Sequence, residues 1–468
     1  MRARILSVIG VLLLLLAAAA GPVIYAGFQD LHSAQAALAG KKYEDAAQHF
    51  EAAAGHLPWR GDLWERAGLA AYLDQDNAET IRLLETARRK EYLSAQGWDA
   101  LGSAYWNADD RQTALAVWQA AVRAYPDDVP LYDRLAMAYH ENGDLASEEQ
   151  ALIKRLSLAP AASAHYQLGL LLLLSDPSRA LNELTSAASM DPQFDPALQT
   201  LRAALAVSAA ASHPADRYVA IGRGLGLVEE WTLAQNAFGK AVAADGQDAE
   251  AWAWLGEARQ HNGGDGRADL ERALALGPED AIVHALRGLY WRRQGSYAQA
   301  LTEYSLAGRI QPDNPAWQAS IGDAEAQTGD LVSALAAYQK AAQAAPNDAA
   351  YWSLLAMFCS DNDLHVLDIG LPAAQQAARL APDDPQTLDV LGWSFSNAGL
   401  LYTAQQDLQR AIKLAPDLAL AHLHLAENYL RQGDRASARA ELDLTLELDK
   451  DGAAGQTAAQ LLRQYFPQ

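Results

Sequence analysis

Residues 95–128 read AQGWDALGSAYWNADDRQTALAVWQAAVRAYPDD. The apolar and small residues fall into two groups at helical spacing, namely Trp98, Leu101, Gly102 and Tyr105, and then Ala114, Trp118 and Ala121. Each group predicts one stripe on a helix, and the polar run 107–110 between them predicts a turn. Gly102 and Ala114 are small, so the two helix backbones can approach closely there. Pro126 cannot continue the second helix and marks its end. The stretch therefore predicts a helical hairpin.

The same pattern recurs along most of the chain. One period earlier it appears as Trp64, Ala67, Gly68, Leu84 and Ala87, and much later as Leu391, Gly392, Phe395, Gly399, Ala404, Leu408, Ala411 and Pro416. Prolines that follow predicted second helices recur with nearly the same period, as Pro312, Pro346, Pro382 and Pro416. The recurrence predicts about twelve units between roughly residues 27 and 452.

The repeated unit, W-x2-L-G-x2-Y followed by A-x3-W-x2-A and a proline, resembles the tetratricopeptide repeat (TPR), a helix–turn–helix unit of about 34 residues. The resemblance covers about nine-tenths of the chain. It implies an all-α fold, a right-handed α-solenoid of hairpins in which each unit packs on its neighbours. It also implies a scaffold that binds other proteins, with the first helix of each hairpin lining a concave surface.

Breaks in the period divide the chain into five predicted segments. These are a transmembrane anchor or signal peptide (1–28), a first block of about five repeats (29–194), an inserted helix or joint (195–214), a second block of about seven repeats (215–452) and a C-terminal capping helix (453–468). The inserted segment is rich in alanine and ends at His213 and Pro214. The tenth repeat is lengthened around residues 361–370, and irregularities of this kind fall in turns.

The N-terminal segment predicts a hydrophobic helix. Arg2 and Arg4 precede the run 5–28, which carries no charged residue and is long enough to span a bilayer. One interpretation is a single-pass anchor with the N-terminus inside and the repeats outside the cytoplasmic membrane. The alternative is a signal peptide that is cleaved near Ala26, which would release a secreted or periplasmic protein.

Charge and cysteine content restrict the partners and the chemistry. A net charge of −22 and a pI near 4.8 argue against nucleic acid as a partner, because phosphate binding needs a basic surface. The single cysteine, Cys359, excludes an intramolecular disulfide, and its helical position favours a buried hydrophobic role. The chain has no H-E-x-x-H, Walker A or G-x-S-x-G motif. We therefore expect no catalysis, no cofactor and no metal site.

The resemblance implies that ligand contacts lie on the face of each first helix that does not pack. In this chain the candidates are Asp99, Ser103, Trp106, Asn107, Asp133, Arg134, Met137, His140, Trp254, Glu257, His261, Arg292, Arg293, Trp393 and Asn397. The repeat pattern itself does not need Trp106, Trp254 or Trp393. Tryptophan and arginine are typical anchors at interfaces. Packing against adjacent repeats is the alternative role for the three tryptophans.

These observations favour a membrane-anchored scaffold that assembles envelope or membrane proteins into a complex. Two alternatives remain: a structural subunit of a larger membrane or surface assembly, and an exported soluble module that binds peptides or proteins. The candidate surface lacks the lysine and asparagine cluster with which family members clamp a terminal carboxylate, so a chaperone-tail adaptor is disfavoured.

Overall fold

A computed structural model describes the backbone of residues 2–467 and the side chains of residues 20–467. The chain divides into two compact units, an N-terminal unit (Met1–Ala206) and a C-terminal unit (Val207–Gln468). The division falls within one helix, α11 (Asp195–Ala210). Over the described residues the regular structure is entirely helical.

Within the described residues, the N-terminal unit contains five hairpins, each made of two consecutive antiparallel helices. The helices are α1 Arg2–Ala39, α2 Tyr43–His56, α3 Asp62–Leu73, α4 Asn77–Arg89, α5 Ala95–Asn107, α6 Arg111–Ala124, α7 Val129–Glu141, α8 Leu145–Leu158, α9 Ala162–Leu172 and α10 Pro177–Met190. A 3₁₀ turn, Pro192–Phe194, then leads into α11.

As far as the structure describes it, the C-terminal unit contains seven more hairpins and a final helix. The helices are α12 Pro214–Leu227, α13 Trp231–Ala244, α14 Ala249–His261, α15 Arg267–Leu276, α16 Ala281–Arg293, α17 Tyr297–Ile310, α18 Pro315–Gln327, α19 Leu331–Ala344, α20 Ala349–Asp361, α21 Leu371–Leu380, α22 Pro385–Asn397, α23 Leu401–Leu414, α24 Ala419–Gln432, α25 Arg435–Leu448 and α26 Ala453–Tyr465.

Local side-chain chemistry fixes the ends of these helices. Ser94 accepts a hydrogen bond from the backbone N–H of Gly97 at 3.2 Å and caps α5. Asp110 accepts from the backbone N–H of Thr113 at 3.1 Å and caps α6 in the same way. Aspartate fills this role at many of the other helix starts, which accounts for part of the acidic composition.

The turn inside each of the second, third and fourth hairpins contains a residue in the left-handed region. Gln75, Asp109 and Gly143 occupy equivalent positions, each one repeat period from the next, with φ of 64°, 61° and 70°. Glycine adopts this conformation without strain, and short polar side chains tolerate it better than branched ones. The period in the sequence therefore corresponds to a period in backbone conformation.

The core lies between the helices of each hairpin and between adjacent hairpins. Phe50, Leu84, Trp118 and Leu152 follow one another at intervals of one repeat period, and each is at most 2% exposed. A Cβ atom on Gly102 would clash with the indole of Trp118, so the absence of a side chain lets α5 and α6 pack this closely. Burial of each large side chain stabilises the fold by about 1.5–3 kcal/mol.

The tenth hairpin departs from this geometry. After α20, Asp363 and His365 adopt positive φ values of 48° and 51°, and a π-helical turn, Val366–Gly370, leads directly into α21. Cys359 is fully buried beneath this turn, and burial raises the pKa of its thiol to about 11. Cys359 therefore packs as a small hydrophobic residue, as expected from its position.

The predicted anchor, residues 5–28, lies mostly outside the part of the chain whose side chains the structure describes. In the described part, no helix combines the length and the apolar character needed to cross a membrane. From Ile24 onward one face of α1 belongs to the array, because Ile24 and Leu31 pack against the core of the first two hairpins, while Tyr25 and Phe28 are exposed.

Candidate protein-binding surfaces

All fifteen candidate residues lie on first helices, on α5 and α7 in the N-terminal unit and on α14, α16 and α22 in the C-terminal unit. The structure joins several of them across adjacent hairpins. In the N-terminal unit the Arg134 guanidinium donates to the Asp99 carboxylate, with Nε–Oδ1 at 2.8 Å. This pair joins α5 to α7 on the face where the family resemblance predicts ligand contacts. Ser103, one turn along α5, is buried, and its hydroxyl has no hydrogen-bond partner among the described residues.

Trp106 is half-buried and contacts its own hairpin. Its ring centroid lies 5.7 Å from that of Trp118 on α6, and the Arg111 guanidinium lies 4.5 Å from its ring. Arg111 also donates to the Glu141 carboxylate at 3.0 Å. Trp106 therefore supports the α5–α6 hairpin, while the neighbouring Asn107 is exposed.

Of the four candidates on α7, Arg134 pairs with Asp99, Asp133 and His140 contact α8, and Met137 is exposed. Asp133 accepts from Arg155 of α8 at 2.8 Å, and the His140 ring lies 3.1 Å from the buried Glu148 carboxylate of the same helix. Met137 is 36% exposed and is the large hydrophobic side chain of α7 that is available to a partner.

In the C-terminal unit three candidates form one cluster. The Glu257 carboxylate is buried and accepts two hydrogen bonds from Arg293, at 2.7 and 2.5 Å. The His261 ring lies 3.2 Å from the same carboxylate and stacks on Trp231 with centroids 3.6 Å apart. The cluster joins α13, α14 and α16.

Trp254 and Arg292 contact side chains of their own and neighbouring helices. The Trp254 indole donates to Glu250 at 3.0 Å and stacks on Phe238 with centroids 5.8 Å apart. Burial raises the pKa of the Glu250 carboxyl above its ordinary value. Arg292 is exposed and lies 3.6 Å from the Asp323 carboxylate of α18, which is a long and solvated contact.

Trp393 lies inside a polar network that joins α20, α22 and α24. It is only 6% exposed, its indole donates to Asp361 at 2.9 Å, and its ring stacks on that of His424 at 4.4 Å. Arg431 covers the ring at 4.8 Å and also donates to the Asn397 side-chain oxygen at 3.0 Å. Trp393 therefore stabilises three consecutive hairpins rather than presenting an open anchor.

Several groups in this network have raised pKa values. Burial raises the pKa of Asp361 and that of Glu427. Burial alone would lower the pKa of His424, but the Asp389 carboxylate at 2.8 Å raises it above its ordinary value. In the folded protein Asp361, Glu427 and His424 therefore release their protons at higher pH than the same groups do in water.

The N-terminal unit also contains an apolar cleft of about 560 Å³ that sequence reasoning did not identify. First helices α1, α3 and α5 line it together with one residue of α2, and the lining residues are Gln35, Leu38, Ala39, Phe50, Arg66, Leu69, Ala70, Leu73 and Gln96. Leu38 is 37% exposed and Leu73 is 52% exposed. This volume is in the range of ordinary binding pockets. We call these nine residues the first-helix cleft.

A signal for this cleft is present in the repeat frame. Leu69 and Leu73 lie one repeat period before the candidate residues Ser103 and Asn107. The repeat positions that mark Ser103 and Asn107 as candidates therefore also mark Leu69 and Leu73. Leucine at those positions is indistinguishable from a core residue in sequence alone.

A second cleft, of about 530 Å³, lies beside Trp352 and the π-helical turn in the C-terminal unit and has a mixed polar and apolar lining.

Parts of the chain match models of a known protein family and the sequences of individual proteins. Residues 100–163 and 258–315 match one model of the tetratricopeptide repeat, and residues 292–358 match another. Cellulose synthase operon protein C of Xanthomonas axonopodis pv. citri (strain 306) is 30% identical over 275 residues, which cover 54% of this chain and 18% of that protein.

Protein O-mannosyl-transferase TMTC1 of Homo sapiens is 26% identical over 39% of this chain and 21% of its own length. The chain thus spans about a fifth of the length of either relative. Among solved structures, the APC/C hetero-tetramer Cut9-Hcn1 aligns with a TM-score of 0.45 and 14% identity, over 92% of this chain and 95% of that one. The matched segments carry tetratricopeptide repeats, and the helical hairpins of the described residues have the architecture of a tetratricopeptide scaffold for protein–protein interaction.

Proposed function

We propose that the chain is a membrane-anchored tetratricopeptide scaffold that holds a partner at the first-helix cleft and places it in a multi-protein envelope complex. The observation that carries this proposal is the exposure of Leu38 and Leu73 in one concave, mainly apolar site. Concave apolar surface with a polar rim is typical of protein–protein contact sites. The proposed role is binding and positioning, without catalysis.

The sequence and α1 support the anchored form. The uncharged run 5–28 follows Arg2 and Arg4, and α1 is a single helix of 38 residues. A helix rises 1.5 Å per residue, so Leu38 lies about 15 Å along the axis from Phe28. Because Ile24 packs against the array, the anchor would be the part of the run that precedes Ile24. With that part in the bilayer, the cleft would lie near the membrane surface, where it could reach a membrane-bound partner.

Packing near residue 26 favours retention of the segment over its cleavage. Ile24 packs against the core of the first hairpins, and a Cβ atom on Gly27 would lie 2.6 Å from Leu57. Cleavage after Ala26 would remove the Ile24 contact and place a chain end at this tight approach. The intact mass of the purified protein tests retention, because the loss of residues 1–26 would be unmistakable.

By its name, Cellulose synthase operon protein C is encoded together with other proteins, and the similarity supports the proposal that this chain acts beside partner proteins. The matched region covers only 18% of that relative. We therefore assign this chain the scaffold role and no part in polysaccharide chemistry.

A capture experiment tests the proposal. Full-length wild type and the double variant Leu38→Asp/Leu73→Asp are extracted from native membranes in mild detergent and purified with what they bind. Leu227→Asp is the matched control, because Leu227 is 76% exposed and lies outside the cleft. We expect partners at near-equal stoichiometry with wild type and the control, and their loss with the double variant. Recovery of wild type alone from the soluble fraction would contradict the proposal.

A further inference from the structure

The first-helix cleft carries one weakly compensated positive charge in a strongly acidic protein. Arg66 is the one charged residue among the nine that line it, and its side chain is 48% exposed. Its ion-pair partner is Asp62, whose Oδ2 lies 3.6 Å from Arg66 Nε. Asp62 accepts two hydrogen bonds from Arg60, both at 2.8 Å, and these hold the pKa of its carboxyl below the ordinary value. The Asp62 carboxylate is thus bound mainly by Arg60 and only weakly by Arg66.

Other carboxylates near the start of α5 are also engaged. Glu65 accepts from the backbone N–H and the hydroxyl of Ser94, at 2.7 and 2.5 Å. Asp99 is bound by Arg134. Arg66 is therefore the feature of the cleft that can select the charge of an occupant, and it selects a carboxylate.

The chemistry of the lining also distinguishes a helical occupant from an extended one. An extended segment presents backbone N–H and C=O groups at every residue, and these need partners when they are buried. Among the lining residues Gln35 and Gln96 are the two that bring side-chain amides, while the three leucines offer no hydrogen-bonding group. A helix satisfies its own backbone hydrogen bonds and can present a purely aliphatic stripe.

The register of the leucines fits such a stripe. Leu69 and Leu73 are four residues apart on α3, so they lie one above the other on one face. Leu38 adds a third aliphatic side chain, from α1. An aliphatic ridge at i, i+4 spacing on a partner helix can enter between the leucines of α1 and α3.

We propose, resting on the scaffold function above, that the first-helix cleft takes an amphipathic helical segment of a partner protein. The segment presents leucine-type residues at i, i+4 and i+7 to Leu38, Leu69 and Leu73, and a glutamate or aspartate at the edge of that stripe to Arg66. An extended peptide and a basic helix are the occupants that the cleft disfavours.

Fluorescence anisotropy of full-length protein with three labelled peptides tests this assignment. The probe is a helical peptide of about four turns with a leucine stripe and glutamates at its edge. One matched peptide replaces the glutamates with lysine, and the other replaces the leucines with serine. We expect the glutamate peptide to bind roughly two- to fivefold more tightly than the lysine peptide, because the ion pair is exposed. The serine peptide should show no measurable binding.

Two protein variants sharpen the test. Arg66→Glu should reverse the preference between the glutamate and lysine peptides. Leu73→Asp should weaken both by about tenfold or more, and the control Leu227→Asp should leave both unchanged. Equal binding of the two charged peptides, with no effect of Arg66→Glu, would overturn the acidic assignment. If no peptide binds but Leu38→Asp/Leu73→Asp still releases a captured partner, the helical partner class is wrong and the scaffold function stands.

Discussion

The first helices of hairpins one to three and those of hairpins ten to twelve follow the same repeat frame but use it differently. On α1 and α3 the inner positions hold Leu38 and Leu73, which remain 37% and 52% exposed. On α22 the corresponding face holds Trp393, which is 6% exposed and bonded to the neighbouring hairpin. In the first region the surface is open and apolar, and in the second its polar groups satisfy one another. The comparison teaches that an aromatic residue on a first helix can stabilise the packing of neighbouring hairpins, while a leucine on another first helix remains exposed and available for binding.

The largest expected effect is that of Trp393→Ala. The change removes a buried ring, deprives Asp361 of its donor and leaves His424 without its stacking partner. We expect a loss of about 3–5 kcal/mol in the opening free energy of α20, α22 and α24. Hydrogen exchange measures these helices separately. The control Trp59→Ala, at a 55% exposed tryptophan, should change stability by less than about 0.5 kcal/mol. Equal effects of the two changes would show that Trp393 is not structural.

The adjacent residues Arg292 and Arg293 provide an internal comparison in the middle of the C-terminal unit. Arg293→Ala leaves the buried Glu257 carboxylate without two hydrogen bonds, so we expect a loss of about 1–3 kcal/mol. Arg292→Ala removes an exposed contact of 3.6 Å and should cost at most about 1 kcal/mol. Protection of α14 and α16 against hydrogen exchange checks both. A larger effect of Arg292→Ala would contradict the structural role of this cluster.

The two regions should also respond to pH with opposite signs. In the C-terminal network the pKa values of Asp361, His424 and Glu427 are raised, so the folded state binds more protons than the unfolded state. The contribution of His424 is therefore fully present below its unfolded pKa and is lost as pH rises through its folded pKa, while the buried Asp361 and Glu427 carboxyls destabilise the fold as they ionise. His424, with an ordinary pKa of 6.5, sets the pH range of the test. Exchange rates of α22 and α24, corrected for intrinsic pH dependence, should show less protection at pH 8 than at pH 6. Protection that rises over this range would contradict the assignment.

In the second hairpin, pKa values are shifted in the opposite direction. The pKa values of Asp62 and Glu79 are lowered, mainly by hydrogen bonds from Arg60 and Arg82. Their contribution is present above the unfolded pKa and is lost as pH falls through the folded pKa. We expect protection of α3 and α4 to be flat between pH 6 and pH 8 and to fall below about pH 4. A loss of protection on the alkaline side would contradict this sign.

Leu73→Asp should have only a small effect on stability, although together with Leu38→Asp it should abolish partner capture. Because Leu73 is half exposed, its replacement should alter the opening free energy of α3 by less than about 1 kcal/mol. Thermal unfolding of the variant beside Leu227→Asp measures this. A variant that both unfolds and loses its partner would not separate binding from folding, and Leu38→Asp alone would then replace it.

The repeat frame can be predicted from residues such as Gly102 and Trp118, because a recurring order of helix, turn and helix is a local property. The burial of Trp393 cannot be predicted in this way, because it depends on Asp361 in the preceding hairpin and on Arg431 in the following one. Contacts of this kind depend on how hairpins stack, and the sequence pattern of one hairpin does not contain that information.

The same limit applies to the candidate site and to the irregular tenth hairpin. The exposure of Leu73 arises from the space between α1, α3 and α5, which no single repeat specifies. The sequence predicts a lengthened turn around residues 361–370, and the structure places the π-helical turn Val366–Gly370 there. The extra length is visible in the repeat frame, but the backbone form has no local signature in the sequence.

The most direct test of the account is site-specific photocrosslinking in native membranes. A photoreactive amino acid is placed at position 73 in one form of the full-length protein and at position 227 in another. Both sites are exposed, at 52% and 76%. The account predicts one discrete crosslinked partner from position 73 and none from position 227. No adduct at position 73, or the same adducts from both positions, would contradict the claim that the first-helix cleft is the binding site.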